Sequence, residues 1–149
     1  MAFDNKKQLV YTILTGVFIT NAITAELIGG KLVNIFGFTL SVGVIIWPVV
    51  FLTTDIINEY YGKSGVRKLS LITTFLIGYA FIVLSLAMRI PAFKPGVVSL
   101  VTDEQFNGVF GQSVWIIAGS IVAFLTSQLV DVAAFWFFRK LTGEKMIWL

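Results

Sequence analysis

The residues in this sequence best suited to chemistry are carboxylates and amides set in apolar surroundings. Asp55, Asn58 and Glu59 fall at i, i+3 and i+4 within the run 47–63, so on a helix they share one face. A second apolar run carries Asp131, preceded by Ser127 and Gln128. A carboxylate near the middle of a membrane helix costs about 2.5 to 3.5 kcal/mol on insertion scales, so it marks a cavity, a relay or a ligand contact. Such a group accepts two donors at once in charge-assisted geometry. Asn21 and Gln128 can both donate and accept, and Trp47 and Phe51 offer aromatic faces for stacking. Thr54, Glu59 and Ser127 lie beside these groups as support. Glu59 also has a plainer reading, as the wet end of a helix paired with Lys63 one turn on. Asp55, a turn deeper, is read as functional.

Composition sets the class. The chain has 149 residues, 57% hydrophobic and 13% charged, with mean hydropathy +0.90. A soluble domain carries about a quarter charged residues, so this is an integral membrane protein, all-α, a polytopic bundle of transmembrane helices. Without cysteine there is no disulfide, thiolate metal site or thiol nucleophile. Without histidine the usual general base and metal ligand are missing too. No phosphate loop, nucleophile–base pair or metal cluster is written here, so neither an enzyme nor a cofactor is expected. The net charge of +3 is not gathered into a basic face of the kind that grips nucleic acid.

Four spans must position the polar groups within a single membrane domain, 1–149. They are expected at about 9–28, 38–61, 69–88 and 114–138. In the first, Thr20, Asn21 and Thr24 could hydrogen-bond across a helix interface, and Gly29-Gly30 stops the helix. The stretch 31–36 reads as a short connection and Gly37 as the turn into the second span. Pro48 would kink that span or leave a carbonyl free. The segment 63–68 reads as a tight basic turn. The third span is the most apolar and reads as a lipid-facing scaffold. In the longest loop, Thr102 to Gln105 fits a capping box opening a short helix, about 103–110. Phe106, Val109 and Phe110 would lay that helix in the membrane interface. Trp115 and Trp136 read as belt or packing residues.

The basic residues are unevenly shared. With the N-terminus inside, Lys6, Lys7, Lys63, Arg67, Lys68, Arg139, Lys140 and Lys145 face the cytoplasm, and only Lys31, Arg89 and Lys94 lie outside. That bias predicts both termini in the cytoplasm and an even number of spans. A weak repeat accompanies it. Aligning Asp55 with Asp131 puts Tyr60-Tyr61 over Trp136-Phe137, and Lys63 over Arg139. Each Asp then lies about 10 to 12 Å from its basic anchor, at matched depth. Two hairpins of like orientation are one way to build a central site.

The run from Trp47-Pro48 through Thr54-Asp55, the ending Glu59-Tyr60-Tyr61-Gly62, and Ser127-Gln128-Leu129-Val130-Asp131 resemble the queuosine precursor transporter family, within the vitamin uptake transporters. Thr20-Asn21 also fits that pattern. The resemblance implies import of 7-deazaguanine bases, such as 7-cyano- or 7-aminomethyl-7-deazaguanine, across the bacterial inner membrane. Asp55 and Asp131 then suit the donor edge of the base or a coupled proton, and Asn21 and Gln128 its carbonyl and ring nitrogens. Members of this family have six spans, and four are written here. The reading is of a fragment, the other possibility being a homo-oligomer that completes the pore. Two alternatives stand beside the importer: a substrate-binding membrane subunit of a multi-component vitamin transporter, and a structural membrane protein.

Overall fold

The computed structural model describes residues 2–92, 101–111 and 114–142. The expectations for Lys94, Lys145 and the side chain of Trp115 fall outside what is described. Helix α1 runs Ala2–Ile28 and stops where Gly29-Gly30 was expected to stop it. Strands β1 (Leu32–Ile35) and β2 (Phe38–Ser41) form an antiparallel hairpin with Ile35 opposite Phe38. A 3-10 turn, Val42–Ile45, leads into α2, Trp47–Ala87. A short helix α3 (Asp103–Phe110) and a long helix α4 (Val114–Leu141) follow.

The hairpin corrects the expected second span, which becomes α-helical at Trp47 and not at about 38. The segment 31–36, read as a mere connection, is half of a β-ribbon. Its two-residue turn places Phe36 and Gly37 at φ 53° and 85°, the positive pair that the right-handed strand twist favours. The Asn34 side chain accepts the Gly37 N–H at 3.0 Å. Ser41 Oγ donates to the Gly29 carbonyl at 2.8 Å and accepts the Gly43 N–H at 3.1 Å, tying the ribbon to the end of α1. Gly43 presses so closely on α1 that a Cβ there would lie 2.6 Å from the Ala25 carbonyl oxygen.

Pro48 is likewise corrected. It occupies the first turn of α2, where its missing N–H has no partner to lose, so it opens the helix instead of kinking it. The break in α2 is Gly62, at φ 69°, ψ −178°, a conformation essentially confined to glycine. Ser70 lies sixteen residues beyond Thr54, about 24 Å along a straight helix. Both nonetheless reach the Oε1 atom of Gln128, so α2 folds back on itself at Gly62. The expected basic turn 63–68 is already helical, and one residue makes the reversal.

Phe18 and Ala22 of α1, Val50 and Ile57 of the first arm of α2, Val66, Leu69, Ile77 and Phe81 of the second arm, and Phe124 of α4 form the core. The second arm is therefore not only scaffold. Leu69, Ser70, Thr73, Ile77 and Phe81 face inward, while Leu71, Ile72, Phe75, Tyr79 and Ile82 face outward. Such an apolar exterior suits lipid rather than water. Three helical stretches among the described residues, Asn5–Ile28, Trp47–Ala87 and Ile117–Leu141, are long and apolar enough to cross a membrane. Helix α3 carries the expected capping box, with Thr102 accepting the Gln105 N–H at 3.3 Å and Gln105 Oε1 accepting the Thr102 N–H at 3.0 Å.

One end of the bundle gathers positive charge. Tyr61 donates to the Lys7 carbonyl at 2.8 Å, Tyr11 donates to the Gly65 carbonyl at 2.9 Å, and Arg139 meets Glu59 at 2.7 Å. These contacts put the start of α1, the Gly62 turn and the end of α4 side by side.

Candidate binding site between α2 and α4

Gln128 is the hub of the polar interior. Its side chain is 2% exposed on α4, and its Oε1 receives Ser70 Oγ at 3.4 Å and Thr54 Oγ1 at 3.3 Å. The Thr54 hydroxyl has one proton, shared with the Val50 carbonyl at 3.1 Å. Both acceptor positions of Gln128 are thus occupied, while its Nε2 has no partner among the described residues. Buried donors are rarely left so, because an unmade hydrogen bond in the interior costs about 1 to 3 kcal/mol.

Asn58 repeats the pattern one turn beyond Thr54. It is 1% exposed, its Oδ1 accepts the Trp136 indole N–H at 3.0 Å, and its Nδ2 is unspent. An indole nitrogen can only donate, so this contact defines which end of the amide is oxygen. Asp131 sits one turn after Gln128 on α4, half-buried, with Oδ2 also unspent. Asp55, half-buried on α2, lies within electrostatic range of Asp131. The structure therefore concentrates two unused amide donors and one unused carboxylate acceptor on the facing sides of α2 and α4. No cluster of metal-binding side chains is found among the described residues.

The basic anchors of the expected repeat converge as well. Lys63 Nζ lies 4.8 Å, and the Arg139 guanidinium 5.2 Å, from the centre of the Trp136 ring. Each follows its aspartate by eight residues in sequence, but the reversal at Gly62 falls between Asp55 and Lys63 and has no counterpart in α4. Glu59 pairs with Arg139 across the two helices, and not with Lys63 as expected. The guanidinium offers a planar fork for a carboxylate, whereas the Lys63 ammonium lies over an aromatic face.

Other expected site residues are placed elsewhere. Asn21 turns its amide back to its own helix, donating to the Val17 carbonyl at 2.8 Å, and does not join the Gln128 network. Thr24 likewise bonds to Thr20, and Ser127 to Phe124, within their own helices. These hydroxyls satisfy local carbonyls rather than crossing an interface. Trp47 stacks at 5.7 Å on Phe51 and at 6.1 Å on Phe124, so it packs against the core cluster. Glu26, near the far end of α1, receives the Ser120 hydroxyl of α4.

Three contributors were not singled out from sequence as part of the site. Asn58 was noted only for its face, Trp136 was read as belt or packing, and Ser70 was assigned to a scaffold. The spacing of Asn58 from Asp55 was the available signal. Nothing in the linear order points to Ser70, because only the reversal at Gly62 brings it to Gln128.

A family model described as "Putative vitamin uptake transporter" matches residues 41–149. A "Probable queuosine precursor transporter" from Bacillus subtilis (strain 168) is 28% identical over 122 residues, covering 80% of this chain and 51% of that protein. The chain thus spans about half the length of this curated relative. No solved structure matches. The matched region contains the whole α2–α4 polar network, and the chain belongs to the vitamin uptake transporter family.

Proposed function

We propose that this chain forms part of an importer of queuosine precursors, 7-deazaguanine bases, and that the base binds between α2 and α4. The observation that carries this reading is the set of unspent polar atoms at Asn58, Gln128 and Asp131. A deazaguanine presents a ring N–H and an exocyclic amine along one edge, with a carbonyl beside them. Asp131 can accept the two donors in charge-assisted bonds, while the free amide protons of Gln128 and Asn58 are suited to the carbonyl. Asp55 supplies a second carboxylate for the edge or for a coupled proton. Similarity to a protein named as a queuosine precursor transporter supports this choice of substrate.

The charge gathered near Lys7, Gly62 and Arg139 supports a cytoplasmic position for that end, with the hairpin end outside and the bundle in the bacterial inner membrane. The test uses cells unable to make queuosine precursors, expressing the full reading frame that contains this chain. Queuosine should return to tRNA when a deazaguanine base is supplied outside at low concentration. Recovery no greater than with an empty vector would overturn the importer. Recovery only with partner ATPases would identify a substrate-binding subunit instead.

A further inference from the structure

Away from the Gln128 network, a cavity of about 510 Å³ opens where the start of α1 meets the Gly62 turn. Lys7, Gln8 and Tyr11 line one side, and Tyr61, Ser64 and Lys68 the other. Gly65 also lines it. A Cβ there would come within 2.8 Å of the Tyr61 Cβ, so the tight turn of α2 leaves no room for a side chain, while the Tyr11 ring of α1 would lie at an ordinary 3.6 Å.

Among the described residues, the lining contains two ammonium groups and no carboxylate. Glu59, an acid near this turn among the described side chains, is engaged by Arg139, while Lys63 and Arg67 are exposed on the same turn and add positive field. The protons of Tyr11 and Tyr61 are directed to the Gly65 and Lys7 carbonyls. The donors open to a ligand are therefore Lys7, Lys68, Gln8 and Ser64, a set that matches the oxygens of a phosphate group. Tyr11 and Tyr61, 4.8 Å apart, supply an aromatic wall.

We propose that this cavity binds the phosphate headgroup of an acidic phospholipid. The surface beside it selects the lipid source of that chemistry. Immediately along α1, Leu9, Val10 and Ile13 are 58%, 48% and 56% exposed, and Leu71 and Ile72 are exposed on the second arm of α2. A free phosphate has no use for such apolar walls, whereas acyl chains cover them while the headgroup rests against the lysines. Basic pockets between membrane helices, at the level where tyrosines favour the interface, have this recognition chemistry. The site is separate from the α2–α4 network, so it does not depend on which solute is carried.

The test is lipid retention by the purified chain, measured by native mass spectrometry after exchange from mixed micelles of phosphatidylglycerol and phosphatidylcholine. Phosphatidylglycerol should be retained preferentially, and Lys7→Gln with Lys68→Gln should weaken that retention about 30-fold, from the usual contribution of two basic residues near a membrane. A control of equal charge change, Lys31→Gln with Lys140→Gln, should leave it intact. Circular dichroism on both double variants establishes that each is folded. Equal retention of the two lipids, or equal loss in both double variants, would overturn the site. Displacement of phosphatidylglycerol by millimolar inorganic phosphate would overturn the lipid assignment in favour of a soluble anion.

Discussion

Trp136 on α4 donates its indole N–H to the Oδ1 atom of Asn58 on α2, at 3.0 Å. This one bond orients a buried amide so that its Nδ2 protons face away from Trp136 without a partner. A tryptophan read from sequence as belt or packing thus orients one of the amides of the proposed site. The relation suggests what disturbing either side would do.

Trp136→Phe leaves a smaller aromatic ring beneath Lys63 and Arg139 but removes the N–H, releasing Asn58 to rotate. Transport affinity should fall about 3- to 10-fold, the range for one lost neutral hydrogen bond, with membrane abundance close to wild type. Concentration-dependent uptake, normalised to the protein in the membrane, measures this. Unchanged affinity would separate Asn58 from the solute.

Asp131→Asn and Asp55→Asn preserve size and remove charge. Uptake should fall at least 10-fold for Asp131→Asn, whose Oδ2 is unspent, while insertion survives. Glu59→Gln should change uptake less than about 5-fold, because its ion pair with Arg139 is part-exposed and worth under about 1 kcal/mol. Initial-rate uptake on the three single variants gives the ranking. Near-normal transport by both Asp→Asn variants would falsify a carboxylate site.

Gly62→Ala should act on folding rather than on binding. The positive φ with extended ψ strains any residue bearing a Cβ by about 1 to 3 kcal/mol. The folded fraction in detergent should drop and the melting temperature fall, whereas Gly78→Ala, with open space at its Cβ position, should be tolerated. Thermal unfolding followed by circular dichroism distinguishes them. Equal stability of the two variants would remove Gly62 as the point of reversal.

The absence of cysteine allows clean labelling. Phe36→Cys, at the 97% exposed hairpin tip, should react in intact cells with an impermeant thiol reagent. Lys63→Cys should react only after the membrane is opened. The opposite pattern would invert the proposed orientation.

Sequence alone determined the class of this protein, and for a physical reason. Apolar runs of this length, broken by few charges, have no stable home outside a bilayer, and their composition can be read without coordinates. The stop at Gly29-Gly30 and the capping box at Thr102 were equally legible, because each depends on residues within one turn of each other. The carboxylates Asp55 and Asp131 stood out for the cost of burying them, and Gln128 for its place beside Asp131. What sequence could not determine was any relation that depends on chain reversal. Pro48 was misread because its effect depends on where the helix begins, which the docking of Ser41 and Gly43 on α1 decides. Glu59 was given its nearest cation in sequence, while folding offered Arg139 from another helix. Asn21 appeared as available as Gln128, yet its amide closed on its own helix. Ser70 joined the site only because α2 turns at Gly62 and brings two distant hydroxyls to one amide, a meeting made by tertiary geometry.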